Sequence, residues 1–266
     1  MDNSILEEHD LSLFQEPEGF RPPSPEPTFQ VFERQPEHVE PGTLDRLTVR
    51  LVGSHPLWGH YLWNAAKCLS WYLDEHKELV RGNTVLELGA GAALPSFVAM
   101  LNGAERVVIT DYPDNILIQN IEYNMSNIFS NSHEREKFAV MGHVWGKDTR
   151  PLLNLLSSNP LQSSDSVSPL FDLIILSDLI FNHSQHHALL STCQSCLSPS
   201  GVALVFYTHH KPHLAHKDMN FFELAQKEFD FRVEKIYERR MTPMFEKDHG
   251  DVNDRATVHG YKICKQ

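Results

Sequence analysis

Apolar residues first recur at helical spacing from His55 onward: Trp58, Tyr61, Leu62, Ala65, Leu69 and Tyr72. With Pro56 where a first turn accepts it, the spacing predicts a helix from about 55 to 78. Short apolar runs then alternate with helix-period stretches. Strands are expected at 84–88, 106–110, 138–144, 173–177 and 202–208, the last entered through a turn at Pro199–Gly201. Helices are expected at 95–102, 114–127, 184–197 and 219–228. Such alternation predicts an α/β fold, a Rossmann-like, mostly parallel sheet with helices on both faces. The ending breaks the rhythm: 231–239 and 257–264 both alternate with period two, so they form a hairpin joined by a loop at 241–255. If the first of these strands runs parallel to the core, that loop leaves at the carboxyl edge, where ligands of open α/β sheets bind. It is then a candidate substrate grip.

Residues 1–45 follow neither rhythm. They hold seven prolines, eleven acidic and two basic residues, too little apolar material for a core. The stretch 14–28 reads as extended, polyproline-like chain, with Phe14, Phe20 and Phe29 as possible anchors and a flexible tail as the even alternative. The domain division is an acidic Pro-rich segment at 1–45 and a catalytic unit at 46–266, with a serine-rich insertion at 157–169.

Charge narrows the partners. The formal net charge is −12, of which −9 lies in the first 45 residues. The chain has no basic stripe to neutralise a phosphate backbone, so no nucleic-acid partner is expected. No apolar run approaches a membrane span, and the acidic start lacks the features of a signal peptide. Four scattered cysteines suit a reduced compartment, and a cytoplasmic monomer is expected. Cys193-x-x-Cys196 stands alone on a predicted helix and reads as two buried neighbours.

The richest stretch is Thr84–Gly91, Thr-Val-Leu-Glu-Leu-Gly-Ala-Gly, where an apolar run meets a glycine turn and a helix follows. Asp111 closes the next apolar run, 22 positions after Gly89, placed to accept hydrogen bonds from a ribose. A dinucleotide turn would carry a third small residue where this chain has Leu94 and Pro95. Glu87, in the approach to the turn, suits an amino group better than a pyrophosphate. These residues favour S-adenosylmethionine over a nicotinamide or flavin dinucleotide, a ligand-free helix start being the remaining reading.

Taken together, Trp58, Glu87-Leu-Gly-Ala-Gly91, Thr110-Asp111-Tyr112, Val144-Trp145-Gly146 and Ser177-Asp178-Leu-Ile-Phe181 resemble the seven-β-strand S-adenosylmethionine-dependent methyltransferases. Within these, the chain is similar to the lysine methyltransferase-like group. The tracts 13–28 and His55–Trp63 look like its fungal branch, which methylates the N-terminus and a nearby lysine of translation elongation factor 1-alpha and once carried a nicotinamide N-methyltransferase label. The resemblance implies a sheet ending in an antiparallel strand. It also implies that Gly89, Ala90 and Gly91 wrap the methionine half of the cofactor, Asp111 takes the ribose and Trp145 lies by the adenine. Ser177 would line the pocket and Trp58 cover it from the upstream helix. Asp178 would hold the acceptor amine, with Phe181 as a wall.

Two other groups draw notice. His209, His210, His213 and His216 crowd one loop, but proline and lysines there suggest a solvated loop, and no metal is expected. Tyr207-x-x-x-Lys211 matches a dehydrogenase pair but lies in a loop instead of on a helix. Two further functional readings stay open: a small-molecule amine methyltransferase, and a non-catalytic partner protein that keeps the cofactor pocket.

Overall fold

A computed structural model describes residues 25–156, 169–245 and 247–266. Phe14 and Phe20 lie outside these, as does the serine-rich stretch up to residue 168.

The strands are β1 (Thr28–Glu33), β2 (Arg46–Leu51), β3 (Thr84–Leu88), β4 (Arg106–Asp111), β5 (Phe138–Gly142), β6 (Phe171–Ser177), β7 (Leu197–Thr208), β8 (Phe231–Arg240) and β9 (Thr257–Lys265). The helices are α1 (Asn64–Glu75), α2 (Leu94–Leu101), α3 (Asn115–Ile128), α4 (Ser132–Arg135), α5 (Arg150–Asn154), α6 (His186–Cys196), α7 (Ala215–Glu228) and α8 (Val252–Ala256). Seven strands form one sheet in the order β5-β4-β3-β6-β7-β9-β8. The first five pair in parallel, whereas β9 runs antiparallel to both β7 and β8. Consequently β8 is parallel to β7, and the loop after it does emerge at the carboxyl edge.

Strands buried on both sides need apolar residues at every position, and their alternation sorts those residues into two layers. Val85, Val107, Ile109, Leu173 and Ile175 pack in one cluster with Leu69, Phe97 and Ile121, from α1, α2 and α3. Leu86, Leu88, Val108, Ile174 and Leu176 pack in the other with Leu152, Leu190 and Phe221, from α5, α6 and α7. The order reverses beside β3, between β4 and β6, so a crevice opens at the carboxyl ends there.

Two features differ from the sequence reading. First, β1 and β2 form an antiparallel hairpin that spans positions 45 and 46, with Phe32, Leu47, Val49 and Leu51 buried in the first cluster. Arg34, just past β1, has no exposed side-chain surface. Its guanidinium donates to Asp74 of α1 at 2.7 Å, to Asn102 at 2.9 Å and to the Leu44 carbonyl at 2.7 Å. On the other side, the Arg50 backbone exchanges hydrogen bonds with Asn120 and Asn124 of α3. Second, the expected helix from 55 is helical only from Asn64. Residues 55–62 form turns, with Trp58 in the left-handed region at φ 63°. Of the three candidate anchors Phe14, Phe20 and Phe29, the described one, Phe29, is exposed and lies 6.5 Å from the Tyr123 ring.

Candidate active site

The glycine turn after β3 is built on left-handed backbone: φ is 63° at Gly89, 56° at Gly91 and 62° at Ala93, which caps α2. A Cβ on Gly89 would come within 2.7 Å of a Leu179 methyl and 3.2 Å of the Trp145 ring. Only glycine serves there, for space as well as for φ. The turn is fixed to β4 by the Ala90 amide, which donates to the Thr110 carbonyl at 3.0 Å.

Asp111 ends β4 beside this turn. Its two oxygens accept from the Gly91 and Tyr112 amides, each at 2.7 Å. Burial raises its carboxyl pKa, and the two amides pull against that rise. Each oxygen keeps a further lone pair for a donor in the cleft. Ser177, the last residue of β6, and His143, just past β5, both line the cleft, and the Ser177 hydroxyl and His143 Nε2 are buried with no partner. Buried polar atoms left so in a crevice are the places where a ligand completes the hydrogen bonding. A nucleoside's hydroxyls and ring nitrogens match that donor and acceptor set.

Trp58, Gly89, Ala90, Gly91, Asp111, Trp145, Ser177, Asp178 and Phe181 all line one cleft of about 640 Å³. Glu87 does not. Alternation along β3 turns its side chain to the same layer as Val85, beneath α2, where its Oε2 accepts from the Ser96 amide and hydroxyl. It is 1% exposed, and burial pushes its carboxyl up to about 8. The placement next to a ligand amino group is therefore corrected: Glu87 braces the turn from below. Trp58 reaches the cleft from a turn instead of a helix. β5 ends at Gly142, two residues short of the expected strand end, so Trp145 stands three residues beyond it, in a loop.

The mouth of the cleft is aromatic. Trp58 is 45% exposed, Phe181 44% and Tyr112 52%, all at its edge. Tyr61 and Trp63 line it as well, and Phe245 packs edge-on against Tyr61 at 5.3 Å between centroids. The described residues of the loop 241–255 thus back this wall without lining the cleft, and Asn64 holds the loop through the Thr242 carbonyl at 2.7 Å.

Asp178 sits at φ 58°, its amide tied to the Phe206 carbonyl at 2.7 Å. Its oxygens both lie 3.0 Å from His210 Nε2. His210 belongs to the histidine-rich loop; nothing in its own spacing pointed to a partner 32 positions away. Among the described residues no group of three or more His, Cys, Asp or Glu could hold a metal ion. Cys193 and Cys196 are buried on α6, where burial raises both thiols, Cys196 to about 12. Tyr207 is buried too, its hydroxyl donating to Met219 Sδ at 3.2 Å.

A family model described as lysine methyltransferase matches residues 53–228. The chain is 45% identical over 255 residues to the protein N-terminal and lysine N-methyltransferase efm7 of Schizosaccharomyces pombe, covering 95% of this chain and 94% of that one. The EFM7 protein of Eremothecium gossypii is also 45% identical, covering 94% and 93%. Among solved structures, Pyrococcus horikoshii TYW2 in complex with MeSAdo shares the fold at a TM-score of 0.52 and 14% identity, over 86% of this chain and 70% of that one.

Proposed function

Since the chain belongs to the lysine methyltransferase family, and is thus an S-adenosylmethionine-dependent protein N-methyltransferase, we propose that it methylates the N-terminal α-amine and a nearby lysine of translation elongation factor 1-alpha. The observation that supports the two acceptor groups is 45% identity, over nearly the full length, with relatives named as protein N-terminal and lysine N-methyltransferases; the choice of elongation factor rests on the resemblance of the tracts 13–28 and His55–Trp63.

S-adenosylmethionine, when bound, supplies a methyl group already activated by its sulfonium. Asp111 would hold the ribose hydroxyls, the Gly89–Gly91 backbone the methionine half, and Trp145 the adenine face, with Ser177 and His143 completing the shell. The protein's remaining work is to align a neutral amine and keep water out. Asp178 accepts a hydrogen bond from that amine, and Phe181, Tyr61 and Trp63 wall it off. An aromatic-rimmed, open mouth admits the end of a polypeptide. An α-amine near ~7.8 is about a tenth neutral at pH 7, and a lysine near ~10.4 far less so, which makes the N-terminus the easier acceptor.

The test is incubation of the purified protein with tritiated S-adenosylmethionine and either elongation factor 1-alpha or nicotinamide. Label is expected on the factor, at its first residue and a neighbouring lysine by mass spectrometry. Label on nicotinamide alone would overturn the reading.

A further inference from the structure

At the acceptor end of the cleft lie two carboxylate–imidazole groups, the carboxylates buried and the imidazoles partly so. Asp178 pairs with His210. Asp218, on α7, sits between His183 and His209, 2.6 Å from a ring nitrogen of each. His183 follows Phe181 by two residues and His209 precedes His210, so Asp218 ties the loop after β6 to the loop after β7. A carboxylate only accepts, so His210 Nε2 carries the proton that faces Asp178. The pair is held from several sides. The Thr208 amide is 3.4 Å from Asp178 Oδ1, the His210 amide donates to the Thr208 carbonyl at 2.9 Å, and the Trp63 ring lies edge-on to His210 at 4.9 Å.

A lone carboxylate beside an ammonium stabilises the charged amine and opposes the deprotonation that methylation requires. Pairing changes that. Resting on the proposed function above, we infer that His210 is a positioning residue that acts through Asp178, and that the pair takes up the proton the acceptor amine must lose. One N–H bond of the bound ammonium breaks and its electrons remain on nitrogen as the attacking lone pair. Nε2 already carries a proton, so the new one passes through water to His210 Nδ1, leaving a carboxylate–imidazolium pair that returns it to water after the product departs. The charge on Asp178 is then balanced while the amine is neutral.

The groups facing His210 are Asp178 from the loop after β6, Asp218 from α7 and Asp248 from the β8–β9 connection, with Trp63 ahead of α1. Burial works to lower the imidazole pKa, but the three carboxylates outweigh it and the net direction is upward. That brings it toward the range of an α-amine. The pair titrates as a unit.

His210→Gln keeps an amide donor for Asp178 but cannot titrate. In NMR titrations of the free protein, the His210 ring signal (assigned by its loss in His210→Gln) is expected to show a midpoint above the ordinary imidazole value, and a lower midpoint in Asp178→Asn. A midpoint that is the same in both proteins would overturn the pairing. With an amino-terminal elongation factor peptide as acceptor, His210→Gln is expected to lower kcat about 100-fold and to lose the acidic limb of the kcat–pH profile. Its Kd for S-adenosylmethionine by calorimetry should stay within about twofold. An unchanged kcat and pH profile would overturn the proton role. If the wild-type protein turned over no such peptide, the proposed function would fail, and the NMR titrations would still decide the pairing.

Discussion

Gly89 shows how much a single position can carry. An alanine there would stay in the left-handed region at a cost of about 1–2 kcal/mol and would press its Cβ onto Leu179 and Trp145. Gly89→Ala is therefore expected to lose about 1–2 kcal/mol in urea unfolding and to bind S-adenosylmethionine at least about tenfold more weakly by calorimetry. At Gly91 a Cβ meets no protein atom within 4 Å, so in urea unfolding Gly91→Ala bears the backbone cost without the crowding. A loss of stability in Gly89→Ala no larger than in Gly91→Ala would refute this division. The glycines and Asp111 were legible in the sequence because a turn at a strand end has few substitutes. Glu87 was misplaced because spacing does not say which side of a strand a residue faces. Its true partner, Ser96, lies across the turn.

The segment before α1 and the front hairpin were the elements read least well. Trp58, Tyr61 and Leu62 have helical spacing, yet Trp58 adopts φ 63° and its neighbour Gly59 passes so close to α3 that a Cβ would sit 2.8 Å from a Leu117 methyl. Ring contacts with Phe245, nearly two hundred positions away, help hold the aromatics at the cleft mouth. Local spacing cannot register such a contact. The hairpin escaped because its burial depends on α1 and α3. Its pin is Arg34, whose removal leaves Asp74 as an unpaired buried carboxylate. Arg34→Ala is expected to destabilise the protein by about 3–5 kcal/mol, measured by urea unfolding. A loss below about 1 kcal/mol, the range of an exposed ion pair, would show that the hairpin is not anchored there.

Across the molecule, stability should depend on pH through Glu87. The unfolded chain releases this proton near 4.5 and the folded protein holds it to about 8, so the native state binds more protons between those values. The associated stability is full below about 4.5 and is lost as pH rises through 8. Glu87→Gln, neutral throughout, is expected to gain Tm relative to wild type on going from pH 5 to pH 8, by scanning calorimetry. A wild-type–variant difference that stays flat across this range would rule the effect out. By itself the sequence determined the alternating α/β layers, the closing hairpin, the glycine turn and the acidic strand end, because each follows from local periodicity or from the conformational needs of one turn. Only the tertiary structure decided that Glu87 lies under the turn, that His210 meets Asp178 and that the aromatic segment after His55 walls the cleft instead of coiling. Those outcomes depend on which face of a strand is buried and which loops share the carboxyl edge, and such contacts join residues far apart in the chain.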